Sequence, residues 1–250
     1  MAKYFFIIGA QRCGTTFLAE NLRAHPKIRM ASPMRPEPKY FLNDPNSISI
    51  RHYRSHFFAD AKTTDVCGEK STTYIERVGA ARKIVSLIPD AKFIVVLRDP
   101  VERAISNYWF SKKNGFENRT MAEALAPGAE KIVRTDFASA FPYDYLKRGI
   151  YKNFLDDYAN VVDIGDNLSI VQYERLISHP VQTFREIFDY LDIDQNPSFD
   201  VTGVLNSASR DMVIDQNLEN SLYEYFHDHN LALEMSYRVD LNLWAPKSKK

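Results

Sequence analysis

Cysteine is almost missing from this 250-residue chain, which carries two, Cys13 and Cys67. Two thiols cannot build a disulfide framework and fall short of a zinc ligand set, so both are expected to be reduced side chains with no assigned role. No stretch approaches the roughly 18 apolar residues of a membrane span. The apolar start at residues 4–8 is too short for a signal peptide and lacks a cleavage pattern, so the expected location is cytoplasmic. Neither sign of charge is in excess, since Lys+Arg and Asp+Glu both number 32. That balance argues against a protein-wide footprint for nucleic acid or an anionic membrane, and any anion site must be local. Repeats and long low-complexity linkers are lacking too. The length alone would allow one large domain or two small ones, and a single domain over residues 1–250 is expected.

What is present is core material: 45% apolar residues, with 16 Phe and 14 Tyr. Such a chain can bury a sizeable interior. Apolar runs at residues 4–8, 93–97 and 168–171 have the length and composition of strands buried on both faces, as in a parallel sheet. Between and beyond them lie helical patterns. Phe17, Leu18 and Leu22 share one face, as do Ala80, Ile84 and Leu87 before Pro89. Further helices are expected at residues 151–158, at 181–191 behind Pro180, and at 218–230. Strand alternating with helix predicts an α/β fold, a central parallel sheet flanked by helices.

The most informative segment is Gly9-Ala10-Gln11-Arg12-Cys13-Gly14-Thr15-Thr16, placed between the first strand and the first helix. A glycine-bounded turn of this kind leaves N–H groups unpaired at the positive end of the helix dipole, where a phosphate or sulfate can accept from them. Its spacing is that of a Walker A loop, but the lysine is lacking and Thr15 stands in its place. Without that cation, ordinary ATP or GTP chemistry is disfavoured. Arg12 offers a forked cation at a different point.

Residues 9–16 resemble the 5′-phosphosulfate-binding loop of sulfotransferases that use 3′-phosphoadenosine-5′-phosphosulfate (PAPS), in the branch of Golgi glycan-modifying and many bacterial enzymes. The resemblance implies a P-loop-like nucleotide-binding architecture, PAPS as donor, PAP as product and no metal. It assigns cofactor binding to Arg12, Cys13, Gly14, Thr15 and Thr16, with Arg12 also serving the chemistry. A second segment, residues 91–108, resembles the family's 3′-phosphate motif: an arginine ending a strand, Arg98, and a serine on the next helix, Ser106. In a parallel sheet both segments should open on the same carboxyl edge. Arg103 is read as a surface charge of that helix. Arg210, in Asn206-Ser207-Ala208-Ser209-Arg210, sits where the family closes a loop over the adenosine, and is assigned to the 3′-phosphate.

For the chemistry, Arg35-Pro36-Glu37-Pro38-Lys39-Tyr40-Phe41 is similar to a K-E-x-x-F/Y-F motif whose glutamate is the general base, which makes Glu37 the candidate. The sequence departs from that motif at Pro36, where a basic residue is usual. Gly68-Glu69-Lys70-Ser71-Thr72-Thr73-Tyr74 resembles the E-K-[ST]-x-x-Y segment, in which the lysine reaches the transferring sulfate. Lys70 is therefore the second catalytic candidate, an ammonium able to steady Glu37 or the developing charge. Lys39, His52, Tyr53 and Phe57 are assigned to the acceptor side, the last two matching a Y-x-x-x-F element. His52 and His56 have helical i,i+4 spacing, but no accompanying H-E-x-x-H glutamate supports a metal. His52 stands as an alternative base. The expected acceptor is a small molecule or a glycan. The rival readings are an atypical P-loop kinase and a catalytically silent nucleotide-binding module.

Overall fold

The structure is a computed structural model, and it describes residues 3–129, 144–195, 200–201 and 214–244. Its strands are β1 (Lys3–Gly9), β2 (Ile28–Met30), β3 (Val66–Lys70), β4 (Lys92–Leu97) and β5 (Leu168–Gln172). Its helices are α1 (Thr15–Arg23), α2 (Ile50–Phe57), α3 (Val78–Leu87), α4 (Pro100–Lys113), α5 (Met121–Leu125), α6 (Tyr151–Ala159), α7 (Tyr173–Ser178), α8 (Pro180–Tyr190) and α9 (Gln216–Tyr237). The chain forms two compact units, Met1–Leu97 with Phe154–Leu205, and Arg98–Asn153 with Asn206–Lys250.

The first unit holds the sheet. Its order is β2-β3-β1-β4-β5 and every pairing is parallel, so the predicted α/β class with helices flanking a parallel sheet is what forms. β1 lies at the centre because it can be buried on both faces: Phe5, Phe6, Ile7 and Ile8 are all fully buried. Phe6 anchors the interior, its ring 5.6 Å from Phe41, 5.8 Å from Phe93 and 6.3 Å from Tyr53. A buried phenylalanine of this kind is worth about 2–3 kcal/mol over an exposed one. β5 departs from expectation. It is one of the two edge strands, and the consecutive Ser169 and Ile170 are only half-buried, so both of its faces are less covered than those of a central strand. Two strands had no sequence signal: β2 is three residues long, and β3 reads Val-Cys-Gly-Glu-Lys, yet all five of its residues are buried. Lys70, the second catalytic candidate, is the last residue of that strand.

The second unit is helical. α4 begins with Pro100 behind Asp99, whose carboxylate caps the helix by accepting from the Val101 N–H at 2.8 Å. Its Val101, Ala104, Ile105 and Tyr108 pack with Ala124 and Leu125 of α5, Tyr145, Leu146, and Leu222 and Phe226 of α9. Arg103 corrects the sequence reading. It is fully buried rather than at the surface, donating to Asn107 Oδ1 at 3.2 Å and to the Tyr145 carbonyl. A guanidinium can sit inside when carbonyl oxygens replace its water. Among the described residues no helix is long and apolar enough to cross a membrane.

Candidate active site

Three strands of the first unit end at one edge of the sheet, β1 at Gly9, β3 at Lys70 and β4 at Leu97. Ile7 is level with Lys70, and Gly9 with Val95. The ladder runs one step further, where the Ala10 N–H donates to the Val96 carbonyl at 2.8 Å. Glycine is required at position 9, since a Cβ there would lie 2.6 Å from Ile75 Cγ2 and 3.3 Å from the Thr72 carbonyl oxygen. The turn then passes through left-handed conformations at Arg12 (φ 68°) and Gly14 (φ 78°). For Gly14 this is free, whereas for Arg12 it stores roughly 1 kcal/mol.

α1 starts at Thr15 with no side-chain cap and no acidic residue in its first turn. Its first bond is the Leu18 N–H to the Gly14 carbonyl, 3.1 Å. The N–H groups of Thr15, Thr16 and Phe17 therefore precede the helical ladder and have no acceptor within it. Thr15 is buried, while Gly14 and Thr16 are half-buried. An uncapped terminus with a positive partial charge, preceded by a turn that a Cβ would obstruct, fits an anionic phosphate or sulfate.

Beside this loop the structure brings Glu37 and Lys70 together. Lys70 Nζ lies 2.5 Å from Glu37 Oε1, with the two side chains 6% and 19% exposed. Thr72 completes the arrangement, its N–H donating to Glu37 Oε2 at 3.0 Å and its hydroxyl lying 3.0 and 3.1 Å from the two carboxylate oxygens. A side chain between two prolines is thus fixed by an ammonium, an amide and a hydroxyl. Thr72 was not singled out from sequence. The available signal was the run Ser71-Thr72-Thr73 behind Lys70, three hydroxyls in a row.

The residues assigned to the acceptor side divide. Lys39 is half-buried in a left-handed turn (φ 50°), and its N–H donates to Ser71 Oγ at 2.9 Å. His52 is exposed on α2, with Nδ1 3.1 Å from the Tyr40 hydroxyl and its ring stacked 5.7 Å from His56. No group of three His, Cys, Asp or Glu among the described residues could hold a metal ion. Tyr53 does not line an open cleft: it is fully buried, and its hydroxyl donates to Glu69 Oε2 at 2.7 Å. Phe57 is 9% exposed and turned into the same aromatic group, 5.5 Å from Tyr53. The i,i+4 spacing that paired them from sequence is the inward face of α2.

In the second unit, Arg98 follows β4 directly, is 9% exposed and pairs with Glu102 Oε2 at 2.9 Å. Its carbonyl accepts from the Tyr151 hydroxyl at 2.8 Å, which fixes the turn from strand into α4. Ser106 is half-buried about two turns further along that helix. Arg210 lies outside the described residues.

A parallel sheet whose central strand ends in an uncapped glycine-bounded turn, with an ion-paired carboxylate at the end of the adjoining strand, defines a P-loop-like α/β protein. Comparison with known proteins makes this specific. The family described as Sulfotransferase domain matches residues 3–233, and the chain belongs to that family. It is 30% identical over 192 residues to mouse heparan sulfate glucosamine 3-O-sulfotransferase 3B1, an alignment covering 75% of this chain and 45% of the mouse protein. To the membrane-associated sulfotransferase kil1 of Dictyostelium discoideum it is 37% identical over 109 residues, 43% of this chain and 22% of that one. The chain thus spans less than half the length of these curated relatives. The crystal structure of a sulfotransferase from Alicyclobacillus acidocaldarius is similar throughout, with a TM-score of 0.79 and 25% identity, covering 98% of this chain and 100% of the other.

Proposed function

We propose that residues 1–250 act as a PAPS-dependent sulfotransferase domain that moves a sulfuryl group to a hydroxyl or amine of a small-molecule or glycan acceptor. The observation that carries this reading is the Glu37–Lys70–Thr72 grouping at the end of β3, next to the uncapped turn at the end of β1. When bound, PAPS supplies an activated sulfuryl group on a phosphate leaving group. The N–H groups at the start of α1, with Arg12, hold its 5′ end, and Arg98 and Ser106 are assigned to its 3′-phosphate.

Lys70 engages Oε1 of Glu37 and the Thr72 N–H engages Oε2, and the single Thr72 hydroxyl proton serves one of the two, so the carboxylate keeps a lone pair for a further donor. An acceptor hydroxyl that donates to it loses its proton to the carboxylate as the oxygen attacks. Lys70, already at 2.5 Å, holds the carboxylate's direction and supplies positive charge where negative charge grows. Positioning and electrostatics carry most of such a transfer, as in phosphoryl transfer.

Calorimetry with 3′,5′-ADP in EDTA, set against ATP with Mg²⁺, tests the donor. Binding of the first without metal is expected; binding of ATP with Mg²⁺ alone would establish the kinase reading instead. With labelled PAPS, Glu37→Gln should lower transfer by about 10²- to 10⁴-fold while PAP affinity stays the same. A Glu37→Gln enzyme that turns over normally removes Glu37 as the base.

A further inference from the structure

Glu69 is fully buried on β3, between Gly68 and Lys70, and the proposed reaction has no use for it. Burial pushes its carboxyl up, and the hydroxyls of Ser71, Tyr53 and Tyr74 act in the opposite direction. Ser71 Oγ donates to Oε1 at 2.6 Å, Tyr53 to Oε2 at 2.7 Å, and the Tyr74 hydroxyl is bonded to the same carboxylate. Two of these hydroxyls also face the Glu37 segment. Ser71 Oγ accepts from the Lys39 N–H at 2.9 Å, and the Tyr74 oxygen accepts from the Phe41 N–H at 3.0 Å.

A hydroxyl has one proton, and an ionised carboxylate only accepts. Because Lys39 and Phe41 present N–H groups, Ser71 and Tyr74 turn lone pairs toward them and their protons toward Glu69, whose oxygens accept. The two neighbouring residues of β3 thus hold the same segment at two places. Lys70 takes the side chain of Glu37, and Glu69, through two hydroxyls, takes the backbone two and four residues further on. We propose that Glu69 is a positioning residue: by polarising Ser71 and Tyr74 it fixes the segment after Glu37 and so keeps that carboxylate on Lys70. Its link to turnover rests on the function proposed above.

Glu69→Gln keeps shape and volume but sets a donor where an acceptor stood, so a hydroxyl must turn its proton away from the amide and toward the backbone N–H, where two donors then face each other and that hydrogen bond is lost. Tyr190→Phe, which removes a hydroxyl bonded to the Phe93 carbonyl at 3.0 Å, controls for lost stability alone. Amide hydrogen exchange at Lys39 and Phe41, read against Phe6 and Ile7 of β1, measures the positioning without any need for turnover. In Glu69→Gln, protection at Lys39 and Phe41 should fall by about tenfold beyond any loss in β1, the size of one buried hydrogen bond. With labelled PAPS and either a phenol or a desulfated glycan, kcat should fall by about 10- to 100-fold with PAP affinity unchanged, a split that a general loss of folding does not give. Protection at Lys39 and Phe41 that is unchanged, or falls no more than in Tyr190→Phe, overturns the proposal. If protection falls as expected while wild-type protein transfers no sulfate, the positioning role stands and the sulfotransferase reading fails.

Discussion

Exchanging Lys70 for Met and Glu37 for Gln, singly and together, measures whether the central pair of the candidate site forms in solution. Unit charges 4 Å apart attract by about 4 kcal/mol at an effective dielectric of 20, before the cost of removing both from water. Exposed pairs are worth roughly 0.2–1 kcal/mol, while breaking a buried one costs about 3–5 kcal/mol. With side chains 6% and 19% exposed, this pair lies nearer the buried limit. The two single changes should not cost the same. Lys70→Met leaves a carboxylate that water still reaches and that keeps the N–H and hydroxyl of Thr72, a loss of about 2 kcal/mol. Glu37→Gln leaves a more deeply buried ammonium. The amide oxygen can then serve Lys70 or the Thr72 N–H but not both, and the amide nitrogen meets a donor, for a loss of about 3 kcal/mol.

In the double variant neither charge is stranded, so the total should be near 3 kcal/mol rather than about 5, a coupling of about 2 kcal/mol. Urea unfolding of the four proteins, with m unchanged across the set, gives each term directly. A coupling below about 0.5 kcal/mol, or a Glu37→Gln protein as stable as wild type, would refute the reasoning from burial and contact distance.

Gly9→Ala forces a methyl to within 2.6 Å of Ile75 Cγ2 and should lower stability by about 1–3 kcal/mol in the same urea assay, weakening PAP binding as the turn shifts. Arg12→Gly relieves the left-handed strain at φ 68° but frees the unfolded chain by a similar amount and removes the side chain's own contacts, so stability should change by no more than about 1 kcal/mol while PAP affinity drops. Calorimetry should therefore show a loss that melting does not match. His25 packs 4.8 Å from Phe188, accepts the Lys27 N–H at Nδ1 and lies 3.3 Å from the Asp194 carbonyl at Nε2, and burial lowers its pKa from the ordinary 6.5. The unfolded chain then takes up the proton first. Stability is full above the ordinary value and declines as pH falls below it, by at most about 1.4 kcal/mol per pH unit, and His25→Gln should flatten that slope in unfolding measured between about pH 7.5 and 5.5.

What could be read from sequence follows from where each residue's partners lie. β1 and β4 are apolar on both faces and declare themselves in five or six residues. β3 occupies an equally buried place but does not, because Glu69 and Lys70 owe their burial to Tyr53, Tyr74 and Glu37, which stand elsewhere in the chain. Arg103 was misplaced for the same reason: its acceptor is a carbonyl 42 positions away. The glycine-bounded turn could be found because its chemistry is local, backbone N–H groups at the start of a helix. Glu37 and Lys70 were reached only through family resemblance, and Thr72 and Glu69 not at all, since a hydroxyl or a carboxylate gives no sign of which distant N–H it will meet.

The same partners change the meaning of the zero net charge. It implied that any anion site must be local, and two of the cations assigned to such a site are themselves paired, Lys70 with Glu37 and Arg98 with Glu102. Each of these two pairs is neutral by itself, which leaves Arg12 and the N–H groups of the turn as the positive contribution at the end of β1. On the proposed function, a 3′-phosphate would compete with Glu102 for Arg98, while the 5′ end would meet the N–H groups of α1, where no side chain caps the helix. Hydrogen bonds to N–H groups act over a few ångströms and are little screened, whereas attraction between full charges reaches further and is weakened by salt. Arg12 keeps one full charge at the turn, so binding there retains some salt dependence, and a 3′-phosphate on Arg98 adds to it. Ionic strength thus separates the two ends of the ligand: in calorimetry, affinity for adenosine 5′-phosphosulfate should be less salt-sensitive than affinity for PAP. Replacing Arg98 by Met and Glu102 by Gln together should remove most of that difference, and a double variant whose PAP affinity keeps its full salt dependence would take the 3′-phosphate away from Arg98.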